Sequence, residues 1–197
     1  GVITDPAELA RLAREREIEN LEFRRFLNRH HVHPDLLHSI GAEVEAAIDC
    51  TACAACCRQL RVETCEEDFH RIAALLKIRP AEVRRMYSEP DPAGGPPLLA
   101  QPTGECVFLH HDQCLIYDVR PAACRLFPYL TPHESSLGAR LESIWRHAWF
   151  CPIVFNSIEE LKHRTGSTLT RLLAISNSAR APFRFSSTIS QAFEQKH

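Results

Sequence analysis

Four cysteines fall within eight residues, Cys50-x-x-Cys53-x-x-Cys56-Cys57, and Cys106, Cys114, Cys124 and Cys151 follow at wider intervals. A chain that spends thiols at this density must gather them, bridge them or hide them, and each option dictates a different fold. A C-x2-C step lets two sulfurs converge on one ion, and three cysteines at x2, x2 spacing can wrap one corner of a cluster, as in bacterial ferredoxin runs. Adjacent side chains point in different directions, so Cys56 and Cys57 are expected to serve two ligand groups, the alternative being one cluster and a spare thiol. The first would join Cys50, Cys53 and Cys56 with Cys151, whose following Pro152 matches the Cys-Pro that closes a ferredoxin run. The second would take Cys57, Cys106, Cys114 and Cys124.

Disulfides fit less well. Nine cysteines in 197 residues lie far below the density of a small disulfide scaffold, roughly 8–10 %, and the number is odd. Residues 1–30 are charged and helix-patterned, without an apolar signal segment, and no apolar run nears the roughly 18 residues of a membrane span. The expectation is a reducing cytoplasm, no membrane, and cysteines used as metal ligands. Cys65, alone at the first turn of a predicted helix, is left out of the ligand set.

A net charge of −2 gives no basic field for nucleic acid, and none is expected as a partner. Arginine outnumbers lysine twenty to three. Arg58, Arg120 and Arg125 lie close to cysteines or their turns, where a guanidinium could donate N–H groups to an anionic centre. His110-His111 reads as a solvated turn, and His30, His31 and His33 as an exposed helix end. His147, four residues before Cys151, is either a ligand or donor or a packed histidine. No G-x-G-x-x-G, H-E-x-x-H or G-x-S-x-G occurs, so a standard nucleotide fold is not expected.

The remaining pattern is helical. Asp5-Pro6-Ala7-Glu8 starts a predicted helix to about His30, with a sparse stripe of Leu9, Leu12, Leu21, Phe26 and Leu27 and interleaved Arg and Glu, read as an outer arm. A second follows His33-Pro34 through Leu36, Leu37, Ile40, Val44 and Ile48. Thr64-Cys65-Glu66-Glu67 reads as a capping box for a helix through Lys77 with the stripe Phe69, Ile72, Ala73 and Leu76, and Pro80 opens another ending near Tyr87. Residues 88–104, with five prolines and three glycines, read as a loop. Cys106–Leu109 and Cys114–Tyr117 form the arms of a small hairpin, and Pro121 and Pro128 bracket a helical turn presenting Cys124. Residues 141–149 match the helical template, with a strand as the alternative because the stretch is rich in bulky residues. Ser157-Ile158-Glu159-Glu160 caps a further helix ended by Gly166, and Ser167 to Ala179 make the last. The expected fold is mainly α, a single domain over 1–197 with a metal-stapled irregular centre and a small β-hairpin. Its cysteine core spans about 44–155, with an N-terminal helical arm over about 5–43 and C-terminal helices over about 157–180.

Cys50-x-x-Cys53-x-x-Cys56-Cys57, Glu105-Cys106-Val107-Phe108-Leu109, Cys114 through Pro121 and Cys124-Arg125-Leu126-Phe127-Pro128 occur in an order that resembles the YkgJ-type cysteine-cluster proteins, the CxxCxxCC family. The resemblance covers about residues 44–155 and extends to the helix pair from Val62 to Tyr87. It implies metal chelation, with zinc and iron both open. A related motif occurs in flagellin lysine N-methylases, associated with an iron–sulfur cluster, but no methyl-donor site carries over. Cys65 stands where the family commonly has a small hydroxylated or polar residue. The expected function is a cytoplasmic metal-binding protein, with an iron–sulfur cluster favoured over Zn2+ because the ligands are cysteines without histidine. Two rivals are a cluster-dependent modifying enzyme resembling a lysine methyltransferase and a zinc-stapled interaction module. The module would dock a protein partner, or a second copy, through its N-terminal helix.

Overall fold

Proline opens four of the helices from within their first turn, where its missing N–H is not needed and its fixed φ already suits the helix. The computed structural model describes residues 1–131 and 133–167, and the fold there is mainly α. Helices α1 (Pro6–Glu15) and α2 (Glu17–Arg29) lead to α3 (Pro34–Ala46). Two very short helices, α4 (Cys50–Cys53) and α5 (Ala55–Gln59), carry the first four cysteines. Helices α6 (Glu66–Leu76) and α7 (Pro80–Tyr87) follow, then the antiparallel pair β1 (Ser88–Glu89) and β2 (Leu98–Leu99). A second antiparallel pair, β3 (Leu109–His110) and β4 (Gln113–Cys114), sets Leu109 opposite Cys114. A 3-10 turn at Tyr117–Val119 precedes α8 (Ala122–Leu126), α9 (Leu137–Trp145) and α10 (Pro152–Arg164).

These elements bury two apolar cores. The first joins both ends of the described chain: Leu9, Phe23, Leu27, Leu37 and Ile40 meet Leu141, Ile144, Ile153, Val154, Ile158 and Leu161. The second collects Val62, Phe69, Ile72, Val83, Leu99, Phe108 and Ile116. Each fully buried side chain of this size contributes about 1.5–3 kcal/mol. Leu60 packs against both cores. Cys56 and Cys151 belong to the first, and Cys106, Cys114 and Cys124 flank the second, so the thiols lie along the seam.

The N-terminal segment is part of the first core rather than an outer arm. Phe23, absent from the expected stripe, is fully buried, whereas Leu21 is exposed. The expected single helix is also broken once, at Arg16, although Arg16 still donates to Leu12 O at 2.9 Å and accepts from Asn20 N–H at 2.8 Å. Beside this break lies a buried charge cluster. Lys162, 1 % exposed, is 2.6 Å from Glu159 and 3.7 Å from the buried Glu19, whose carboxylate also accepts from Arg16 at 3.0 Å. Charges this deep require partners, and here they join α2 to α10. Asn156 exchanges two hydrogen bonds with the Ile3 backbone, at 2.9 and 2.8 Å, fastening the chain's start to the same helix.

Other differences have local causes. The box expected at Thr64 and Glu67 sits one residue later: Asp68 accepts from Cys65 N–H, while the Thr64 hydroxyl donates to Pro97 O at 2.6 Å. That contact fastens the proline-rich stretch, where residues expected to form only a loop pair as β1 and β2 over buried Leu98 and Leu99. The last C-terminal helix of the first core begins at Pro152, with Cys151 at the preceding position and no side-chain cap. Ser157, expected as its cap, is buried in mid-helix because Ile153, Val154 and Phe155 are needed in the core. Gly166 follows its end at φ 69°, as expected. The helix expected over Ser167 to Ala179 and the tail from Pro182 extend outside the described residues.

Helices α2 and α9 cross at Gly138, whose carbonyl accepts from Arg24 Nε at 3.2 Å. A methyl group there would run into the Asn28 carboxamide and lie 3.1 Å from the Asn28 backbone nitrogen. The carboxamide can turn aside; the backbone cannot. Gly138→Ala should therefore destabilise the fold by about 1–3 kcal/mol in chemical denaturation. An unchanged midpoint would show that this crossing tolerates more space than the packing indicates.

Candidate metal centre

The first cysteine run is shaped by one unusual backbone position. Asp49 caps α4, accepting from the Thr51 N–H at 2.9 Å and the Thr51 hydroxyl at 2.6 Å. Ala54 then adopts φ 49°, a left-handed conformation uncommon for a residue with a Cβ. This reverses the chain between α4 and α5 and turns cysteines of both helices to one region. Cys106 is brought to the same region by its N–H, which donates to Cys57 O at 2.8 Å. Cys114 ends β4, beyond a two-residue turn in which His111 and Asp112 both have positive φ, as a type I′ hairpin requires. Cys124 stands on α8, whose Ala122 N–H donates to buried Asp68 at 3.1 Å.

All eight cysteines expected as ligands line two adjoining cavities. Cys57, Cys106 and Cys114 face only the first, Cys53 and Cys151 only the second, and Cys50, Cys56 and Cys124 face both. The spaces, about 60 and 90 Å³, exceed the roughly 10–15 Å³ that one water-sized particle needs. Sulfur is the donor from every side, a set suited to zinc or to iron–sulfur clusters. The sulfurs stand around these spaces; among the described residues, no three Cys, His, Asp or Glu side chains already form a group able to hold a metal ion. Every cysteine is a free thiol.

Crowded thiols resist ionisation, and their effects on one another chart the cluster. Burial pushes Cys124 and Cys151 up to about 12; Cys106, Cys56 and Cys114 add to the effect at Cys124, and Cys50 and Cys56 at Cys151. Cys50, although exposed as a residue, has its thiol among the others, and burial with Cys56, Glu45 and Cys53 raises it to about 11. Burial also raises Cys106 and Cys114. Cys56 is the exception, lowered to about 7, chiefly because the Cys57 thiol donates a hydrogen bond to it. Cys57 is correspondingly raised. The adjacent pair was expected to diverge, yet consecutive side chains on a helical turn are only about 100° apart, so their sulfurs can meet.

Of the three arginines singled out, Arg120 is the one whose charge reaches the thiols. It favours the thiolates of Cys50, Cys56, Cys114 and Cys124, and it is held with its guanidinium 3.6 Å from the Tyr117 ring centroid and Nε donating to Tyr117 O at 2.8 Å. Arg58 instead binds Glu105 at 2.7 Å and Asp112, clamping α5 to the hairpin. Arg125 lies exposed at the rim of the second cavity. His147 lines neither cavity; it packs edge-on to Phe127 and Phe150. His110 and His111 are exposed on their turn, and Cys65 is exposed at the α6 cap.

Sequence reading passed over two residues that position the site. Asp68 ties α6 to α8, and Gln101 donates to Leu60 O at 2.7 Å, holding the seam. Asp68 is the third residue after Cys65, a capping spacing that Glu67 had seemed to satisfy one residue earlier.

Compared with known families, residues 49–152, more than half of the 197-residue chain, match the model of the CxxCxxCC family, described as "Putative zinc- or iron-chelating domain". No curated protein and no solved structure gave a match.

The uneven acidity is open to direct test on metal-free protein. Thiolates react and thiols do not, so alkylation of Cys56 should rise to a plateau with a midpoint near pH 7, while that of Cys50 should keep rising toward pH 11. Cys57→Ala removes the donor and should move the Cys56 midpoint upward; Cys57→Ser keeps a donor and should move it less. Peptide mapping by mass spectrometry reads both. A Cys56 midpoint at or above the ordinary thiol value would show that Cys57 does not donate to it.

Proposed function

Because the chain belongs to the CxxCxxCC family, we propose that it is a metal-binding protein whose clustered cysteines hold iron–sulfur in preference to zinc, four thiolates to each centre. The observation that carries this reading is the meeting of thiols from distant parts of the chain around two joined cavities. A zinc ion draws its sulfurs to about 2.3 Å from a single point. A cluster takes its cysteines on different irons, and a donor set of cysteines without histidine that includes the ferredoxin-like run Cys50, Cys53 and Cys56 favours it. Bound there, a cluster would supply one-electron chemistry, whereas zinc would supply a structural cross-link.

The chain's own groups define what binding involves. Most of the thiols are held protonated by burial and by each other, so ligation must release protons and tighten as pH rises. Arg120 offsets part of the negative charge that develops. Tyr117 fixes its guanidinium, and lysine could not reproduce that planar arrangement. The free thiols accord with a reducing compartment, and we infer a cytoplasmic setting.

Neighbour relations support two ligand groups. Cys50 lies close enough to act on Cys151 and to feel Cys53 and Cys56, Cys106 is linked in the same way to Cys57, Cys114 and Cys124, and Cys56 acts on members of both sets. The first test is anaerobic purification with metal and acid-labile sulfide analysis. Iron with sulfide and a broad absorption near roughly 400 nm are expected. Stoichiometric zinc without sulfide would overturn the cluster assignment, and no bound metal would overturn the function.

The second test separates the groups. Cys53→Ser and Cys57→Ser each alter one cavity alone, so each should remove about half the metal if both groups are filled. Cys65→Ser should leave metal content intact. Complete loss in both cavity variants, with the fold retained by circular dichroism, would mean one compact centre in place of two.

A further inference from the structure

The two thiol groups are mounted on the fold in different ways. Arg58, the residue after Cys57, sends Nε to Glu105 at 2.7 Å and a terminal nitrogen to Asp112. Glu105 immediately precedes Cys106, and Asp112 lies two residues before Cys114. One guanidinium therefore spans the segments that carry three thiols of a single group. Backbone bonds repeat the connection: Cys106 N–H donates to Cys57 O at 2.8 Å, and β3 and β4 set Leu109 opposite Cys114. A planar fork fixes direction as well as distance, so the backbone beneath these sulfurs is set before any ion arrives.

The other group has no such brace. Cys50 and Cys53 stand on α4, and among the described residues the hydrogen bonds of α4 run only within its own turn and to its cap, Asp49. Asp49, Cys50, Thr51 and Ala52 are all exposed, and no residue of α4 packs into either apolar core. Cys56 and Cys151 do pack in the first core. The group is thus divided between an anchored pair and an exposed turn. A segment with little buried surface and solvent-facing backbone opens at lower free energy than the protein as a whole. When α4 opens, each of its sulfurs that leaves a metal takes up a proton, and an outside thiolate supplies the bond it gave up.

We propose, on the reading of two ligand groups given above, that the groups hold metal on different terms. Cys57, Cys106, Cys114 and Cys124, braced by Arg58, keep a resident centre, whereas Cys50, Cys53, Cys56 and Cys151 give theirs up to an outside thiol or chelator. Arg58 is a positioning residue, because its nitrogens go to carboxylates and it lines neither cavity. Simple charge compensation by Arg58 makes a different prediction. Asp112 lines the first cavity, so neutralising it would tighten an anionic centre through electrostatics alone. If the clamp is what counts, the same change loosens the centre.

The test follows metal release from the anaerobically purified full chain in excess EDTA, with metal content measured beforehand. Two phases of similar amplitude are expected, Cys53→Ser lacking the fast one and Cys57→Ser the slow one. Arg58→Ala should speed the slow phase about ten- to a hundredfold and leave the fast phase alone. Glu105→Gln and Asp112→Asn should speed it too, asparagine keeping the positive φ that position 112 requires. Hydrogen exchange of the metal-free chain reads the brace directly. The Cys106 amide should be protected and lose that protection in Arg58→Ala, while the amides of residues 50–53 exchange quickly in both. Absence of metal before EDTA is added would overturn the reading of the site itself. A single phase from fully loaded protein, carboxamide variants that slow release, or residues 50–53 as protected as Cys106 would overturn the difference between the groups alone.

Discussion

Eight thiols that would repel one another once ionised are held along the seam of two apolar cores. Both cores contribute cysteines to the shared wall, Cys151 as a buried member of the first and Cys106, Cys114 and Cys124 packed against the second. Apart from Arg120, little positive charge reaches them, so the free site keeps its protons on most of its sulfurs. A cation or cationic cluster would reverse that balance, because each thiolate it stabilises also draws the two cores together. Ligand chemistry and tertiary structure are in this sense one equilibrium.

The scaffold around the thiols is correspondingly polar. Arg58 binds Glu105 and Asp112, Asp68 receives Ala122 N–H, and Gln101 reaches the Leu60 carbonyl. Each of these contacts joins segments distant in sequence, and each carries a segment that bears or borders a cysteine. Ala54 and the His111-Asp112 turn accept left-handed conformations without glycine at the same places. Around the site, local backbone preference yields to the positioning of sulfur.

Cysteine spacing and proline punctuation were legible because each acts locally. Pro34 and Pro80 start helices where expected, and the eight cysteines chosen by clustering are the eight that line the cavities. What could not be read depends on distant partners. Phe23 lies between charged neighbours and is buried only because α9 and α10 arrive from the other end of the chain. Ser157 has the composition of a cap, but core demand for Ile153 to Phe155 starts the helix earlier. Leu98 and Leu99 look like part of a proline-rich loop until Thr64 and Glu63 pair beside them. The N-terminal charge pattern likewise hid Glu19, whose burial requires Lys162 on a helix more than a hundred residues away.

The two cores also differ in how the chain is threaded through them. Buried members of the second core run from Val62 to Ile116, whereas the first joins Leu9 through Val44 to Leu130 through Leu161. During synthesis, every residue of the second core emerges before the first can be completed, while helices α1 to α3 wait for α9 and α10. Long sequence separation slows the closure of the first core, and in that interval its apolar faces stand open to water. Cys151 joins at that closing step, at the head of α10. The complete set of thiols thus requires the start of α10, and a ribosome-bound fragment that ends before Cys151 presents only part of it.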